Sequence, residues 1–291
     1  MIPAAFDYHR AESVEDAVSV LSEHGDDAKI LAGGHSLLPL MRLRLAYPAL
    51  LVDVGRLEEM RGVRQDGDEL VIGAATTHHD VVRDGLVRRH CGVLADVTAM
   101  VGDPQVRHRG TMGGALAHGD AAGDLPTVAL ALDATMVAQG PDGRRGIPAA
   151  EFFVDYLETA LAPDEVLVEV RWPTLGAAGE GGQGWGYAYE KFSRVAQAWA
   201  IVGSLALVRR DNGSVAEARV GLTHMGATPL RARATEQALS GAPASADALA
   251  AASEQAADGT SPPADLSAQP DYRQHLARVL TGRALARAAG M

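Results

Sequence analysis

Two segments far apart in the chain, Ala32-Gly33-Gly34-His35-Ser36-Leu37-Leu38-Pro39 and Thr111-Met112-Gly113-Gly114-Ala115-Leu116-Ala117, constrain its fold more than any other feature. Each joins two adjacent glycines to a hydroxyl residue and then turns apolar. The first follows Lys29-Ile30-Leu31, a short run that reads as a buried strand. Adjacent glycines after a strand let the backbone turn sharply. Without a Cβ, successive N–H groups can approach a ligand closely. Such groups suit a phosphate or pyrophosphate, and two loops of this kind can close on one dinucleotide from opposite sides. A single Gly-Gly pair is more often an ordinary turn. Two of similar design, each with its own Ser or Thr, point to a ligand.

Neither standard phosphate signature accounts for them. No Gly-x-x-x-x-Gly-Lys-Ser/Thr occurs. Gly179-Glu180-Gly181-Gly182-Gln183-Gly184 matches the Rossmann pattern formally, but it leads into Trp185-Gly186-Tyr187-Ala188-Tyr189. That stretch alternates like a strand instead of opening a helix, so the match reads as a flexible loop.

At 291 residues and 47% hydrophobic content the chain suits one large domain or two modest ones. No run approaches about eighteen uninterrupted apolar residues, so no membrane span is expected. The N-terminus, with Asp7 and Glu12 and no apolar run, does not read as a secretory signal. Cys91 is the single cysteine; it excludes an internal disulfide and fits a reducing compartment, so a cytoplasmic location is expected. An iron–sulfur cluster needs about four cysteine thiolates, so any such cluster working with this chain sits on another polypeptide. The formal charge of −11, from 37 acidic against 26 basic residues, argues against nucleic acid as a partner. It does not argue against an anionic dinucleotide, because charges beyond about 8 Å are largely screened at physiological salt and aimed N–H groups act locally.

In order, Ser13 to Glu23 reads as a helix, with Ser13 as cap, Asp16 at the capping-box position and Gly25 as stop. Strand 29–31, the glycine turn, a helix from Leu37 to Leu45 and strand 50–54 form a βαβ-like unit. Further on, 69–73 reads as a strand, Thr77 caps a helix to about Val87, Leu125 to Leu132 is helical, and Val166 to Val170 is a strand ended by Pro173. Six glycines between 176 and 186 mark a domain boundary. Beyond it, Asp211-Asn212-Gly213 signals a hairpin, Thr228-Pro229 opens a helix as cap and first residue, and 243–269 looks partly irregular. A last helix starts near Tyr272, with Leu276, Val279, Leu280 and Leu285 at helical spacing. The division expected is 1–176, with parts 1–56 and 57–176, and then 187–291.

Three polar groups invite chemistry. His35 reads as a ring wedged in its loop so that its backbone N–H faces phosphate, in preference to a catalytic role. His78, His79 and Asp80 read as a solvated helix start and not a metal site, because adjacent histidines diverge around a helix. Asp124 reads as the cap of the helix that follows it.

The Ala-Gly-Gly-His-Ser-Leu segment and the run Val101-Gly102-Asp103-Pro104-Gln105-Val106-Arg107-His108-Arg109-Gly110-Thr111-Met112-Gly113-Gly114 resemble the FAD-binding medium subunit of molybdenum hydroxylases. That is the flavoprotein subunit of enzymes of the carbon monoxide and xanthine dehydrogenase type. Ile2-Pro3 to Tyr8, Asp120 to Pro126, Tyr189-Glu190-Lys191 and Tyr272-Arg273 to Leu280 are similar too, so the resemblance covers essentially the whole chain. It implies an α+β fold. A two-part FAD-binding domain of the vanillyl-alcohol-oxidase (PCMH) type would precede a smaller α+β C-terminal domain.

Carried over by residue, it implies pyrophosphate at Ile30, Leu31, Ala32, Gly33, Gly34, His35, Ser36 and Leu37. The second phosphate side falls at Thr111, Gly113, Gly114 and Ala115. Adenosine, ribityl or flavin contacts fall at Val101, Asp124, Leu167 and Lys191, with Trp199 over the isoalloxazine. Departures are Met112 for the usual Ile, Ala115 for Ser or Asn, and Ala198-Trp199 for Asp-Tyr; the last touches the ring's hydrogen bonding and potential. FAD would be held non-covalently, although related oxidases attach it through a loop histidine such as His35.

The implied function is electron transfer. A molybdenum-cofactor large subunit hydroxylates the substrate, a [2Fe-2S] small subunit relays electrons, and this FAD passes them to a terminal acceptor, in a dimer of heterotrimers. The alternatives are a self-contained FAD-dependent oxidase or reductase of the same fold, and an assembly subunit that has lost FAD.

Overall fold

A computed structural model describes residues 2–175 and 184–291. Most of the glycine-rich stretch, with the formal Rossmann match and the expected boundary, lies outside the described residues.

The N-terminal part is a small parallel sheet in which Leu50–Asp53 is central, with Asp7–Arg10 on one side and Ala28–Leu31 on the other. The helix Val14–His24 connects the outer strands. Ser13 Oγ accepts from Asp16 N, Gly25 at φ +53° ends the helix, and Val14, Ala17, Val18 and Leu21 face the core, as the pattern predicts. Asp16 reaches one residue further back than a capping box requires, accepting from Glu12 N at 2.9 Å. After the first glycine loop comes a single short helix, Leu37–Arg42.

The second part is an antiparallel sheet in the order Val63–Asp66, Glu69–Gly73, Val166–Pro173, Thr135–Gly140, Gly143–Pro148. Helix Met112–Ala117 packs on its strands Val166–Pro173 and Glu69–Gly73, Asp124–Ala131 packs on that helix and on Gly92–Ala99, and the apolar residues of all three join the core of the first part. The helix predicted from Thr77 to Val87 is broken. It runs His78–Arg83, and a second helix, Gly85–His90, follows. Asp84 is the cause: its carboxylate takes the N–H groups of Leu86 and Val87 at 2.8 and 3.1 Å, competing with helix continuation.

The C-terminal part is a meander of Trp185–Phe192, Val202–Asp211, Ser214–Thr223 and the short edge strand Leu230–Arg231, with Pro270–Ala288 packed on it. Asn212 and Gly213, at φ +47° and +82°, make the two-residue hairpin turn that their identities favour. Thr228-Pro229 does not open a helix. The residues after it pair with Gly221 and Leu222, and the helix begins at Arg233. The alanine-rich region contains a regular helix, Ala246–Ser253, capped by Ser245. Trp185–Phe192 packs against Gly92–Ala99, and Leu205 and Leu207 enter the first core.

Candidate functional site

A cavity of about 910 Å³ runs between the two glycine segments, at the upper end of the size range of small-molecule sites. Every residue to which the resemblance assigns a cofactor contact lines it: Ile30 through Leu37, Val101, Thr111, Gly113, Gly114, Ala115, Asp124, Leu167, Lys191 and Trp199.

The two glycine pairs share a division of labour. In each, the first glycine serves close packing. A Cβ on Gly33 would collide with the Arg109 carbonyl, and one on Gly113 with Ala74. The second glycine meets only side chains. Gly34 sits at φ +77°, where L residues are strained, and a Cβ on Gly114 would approach only Thr111 Oγ1. The loops therefore touch through the Gly33–Arg109 backbone contact, which joins the parallel sheet to the second part.

Their N–H groups differ. No carbonyl among the described residues accepts from Gly33, Gly34, His35, Ser36 or Leu37, so the first loop presents a run of unsatisfied donors beside the cavity. In the second loop Gly113 N donates to Ala74 O, Gly114 N to Thr111 Oγ1 and Ala115 N to Thr111 O. The first loop therefore keeps N–H groups free to meet a ligand, whereas those of Gly113, Gly114 and Ala115 in the second already have protein partners. In the second, the donors are spent on a capped turn that seats Thr111 and the short helix against the sheet.

Strand Trp185–Phe192 contributes Lys191 to the cavity lining. Period-2 alternation puts Tyr187, Tyr189 and Lys191 on one face. Tyr187 OH donates to Asp96 at 3.0 Å, Tyr189 OH to Asp124 Oδ1 at 2.6 Å and Lys191 Nζ to Asp124 Oδ2 at 2.7 Å. The Asp124 and Lys191 side chains are only 5% and 6% exposed, so this is a buried ion pair. Burial pushes the Asp124 carboxyl up, and Lys191 pulls it back. Burial and then the Asp124 charge push the Tyr189 hydroxyl well above its usual range. Tyr189 is accordingly a donor here. Asp124 is not the helix cap: Gly123 holds that position, and Asp124 is the first helical residue, its carboxylate committed to the C-terminal part.

His78 departs from its expected solvated place. It is 3% exposed and lines the cavity, while His79 stacks on His108 with ring centroids 3.8 Å apart. No group of three metal-ligating side chains occurs among the described residues. Trp199 is 58% exposed at the cavity rim. Sequence reasoning did not place Tyr189 or His78 in the site. Strand alternation with Lys191 was the signal available for Tyr189; none existed for His78.

Fold, glycine cradle and buried acid–lysine pair describe a dinucleotide-binding flavoprotein. The model of the FAD binding domain in molybdopterin dehydrogenase matches residues 4–175, and that of the CO dehydrogenase flavoprotein C-terminal domain matches 187–288. The carbon monoxide dehydrogenase medium chain of Hydrogenophaga pseudoflava is 40% identical, with 98% of this chain and 97% of the relative covered. The xanthine dehydrogenase FAD-binding subunit of Escherichia coli is 30% identical, with 97% and 95% covered. A solved structure of carbon monoxide dehydrogenase from H. pseudoflava, lacking the Mo-pyranopterin moiety, superposes with a TM-score of 0.95 at 42% identity, covering 100% of this chain and 99% of that one. The chain belongs to the FAD-binding medium subunits of molybdenum hydroxylases, and its class of activity is that of an oxidoreductase.

Proposed function

We propose that this chain binds one FAD non-covalently in the cavity between its glycine loops and serves as the electron-transfer subunit of a molybdenum hydroxylase. The observation that carries the reading is the run of unsatisfied N–H groups from Gly33 to Leu37 lining a cavity of dinucleotide size. Those donors hold the pyrophosphate. Thr111, Gly114 and Ala115 close on it from the other side. Leu167 and Val101 supply apolar walls, and Lys191, fixed by Asp124 and Tyr189, brings a cation to the cavity. Ala32, Ile30 and Leu31 carry the loop in from the sheet. Trp199 covers the ring edge.

The bound flavin supplies the redox chemistry. The protein orients it, shields it and leaves a rim through which electrons arrive and leave. With a single cysteine the chain cannot supply a cluster, so electrons come from a [2Fe-2S] small subunit and originate at a molybdenum-cofactor large subunit, in a cytoplasmic dimer of heterotrimers. The chain divides into an FAD-binding domain, 1–176, and a C-terminal flavoprotein domain, 187–291. No described helix is long and apolar enough to cross a membrane.

Acid precipitation tests the cofactor's attachment. Yellow flavin should appear in the supernatant at one per chain. Colour held in the pellet points to covalent attachment and to the oxidase alternative, as does substrate turnover by the isolated chain.

A further inference from the structure

His78 is the one polar cavity-lining side chain that is almost fully buried and makes no hydrogen bond with its ring among the described residues. Its backbone is fixed: His78 N donates to Gly110 O at 2.9 Å. Its ring edge packs on Gly110, where an added Cβ would lie 2.8 Å from Cδ2 and 3.1 Å from Nε2. Gly110 Cα is also what a Cβ on Gly33 would meet at 2.9 Å. His78 therefore sits behind the junction of the two loops, beside the root of the donor run.

Desolvation, then Arg107 and His35, lowers its pKa from 6.5 to about 4, so the ring is neutral at physiological pH and carries one N–H. Nδ1 is sealed from solvent with no partner, and a proton there would be a buried orphan donor. Nε2, the other ring nitrogen, is not among the sealed atoms, so the proton belongs on it, and His78 is a residue of the cavity wall.

We propose that His78 contacts the cofactor, its Nε2–H donating to the pyrophosphate of bound FAD beside the first glycine loop. This rests on the placement of FAD argued above. A neutral donor at this point adds a hydrogen bond without a second buried charge. It also makes that contact insensitive to pH across the neutral range.

The test uses the full chain stripped of flavin, with FAD and ADP titrated separately into wild type, His78→Phe and His78→Gln. Circular dichroism and apoprotein melting curves control for folding. Phe keeps the ring volume without the N–H, and Gln restores a donor. His78→Phe should weaken FAD and ADP alike by about tenfold, in line with one lost hydrogen bond, and Gln should recover most of that. Unchanged FAD affinity in His78→Phe overturns the proposal. So does weakened FAD with unchanged ADP, which puts the contact on the flavin half. Should His78→Phe not fold, the ring Nε2 chemical shift of wild-type His78 decides: it should move on adding ADP, and a static signal overturns the proposal. A folded wild type that takes up neither FAD nor ADP instead removes the cavity assignment, so the two failures are distinguishable.

Discussion

Single residues at this site work through what burial does to charge. Asp124 and Lys191 neutralise each other where neither is solvated, and breaking such a pair costs more than never building it. Lys191→Met should destabilise the apoprotein by about 3–5 kcal/mol at pH 8. The loss should shrink toward pH 5, because without Lys191 the Asp124 carboxyl, already pushed up by burial, takes a proton and ceases to be an unpaired charge. Urea unfolding at the two pH values measures this, and equal losses would contradict it. The histidines give the opposite slope. His78, His118 and His224 are all lowered by desolvation, so between 6.5 and their folded values the unfolded chain binds more protons. Their contribution is complete above about pH 6.5 and is lost as pH falls below that, for His78 toward about 4. The melting temperature should drop from pH 7.5 to 5, and less steeply in His78→Phe. A parallel drop in that variant would show that His78 titrates normally. The sequence could not reveal this, because a histidine at a helix start looks solvated until Gly110 is known to pack against its ring.

At the scale of elements, the glycine loops were legible and their inner workings were not. Composition marks Gly33-Gly34 and Gly113-Gly114 as places where backbone approaches something closely. It does not say that Gly33 approaches Arg109 and Gly113 approaches Ala74, because both contacts are made across the fold. Substitutions should therefore separate. Gly34→Val should leave a folded chain that has lost FAD, since the strain is local to a loop at φ +77°. Gly33→Val should lose the loop junction as well, with a lower apoprotein melting temperature. Flavin-to-protein absorbance and circular dichroism report the two effects, and full FAD retention in Gly34→Val would move the site elsewhere. Strands and hairpins announced by alternation and by Asn212-Gly213 formed where expected. The misread elements, the broken helix at Asp84 and the edge strand after Pro229, were decided by a side-chain hydrogen bond and a sheet neighbour that local pattern does not encode.

At the scale of the molecule, the cavity is walled by three parts of one chain: the parallel sheet brings the donor loop, the second part brings Thr111 and Asp124, and the C-terminal meander brings Lys191. FAD should accordingly hold the parts together, raising the melting temperature with its concentration as any ligand of the native state does. On the proposed placement of FAD, the N–H groups from Gly33 to Leu37 stand free for the pyrophosphate. Amide hydrogen exchange on the apoprotein, with and without FAD, tests it most directly. Exchange over 33–37 should be fast without FAD and strongly protected when FAD is bound, while Gly113, already bonded to Ala74, changes far less. Flavin bound with stoichiometric yellow colour but no new protection over 33–37 would contradict it.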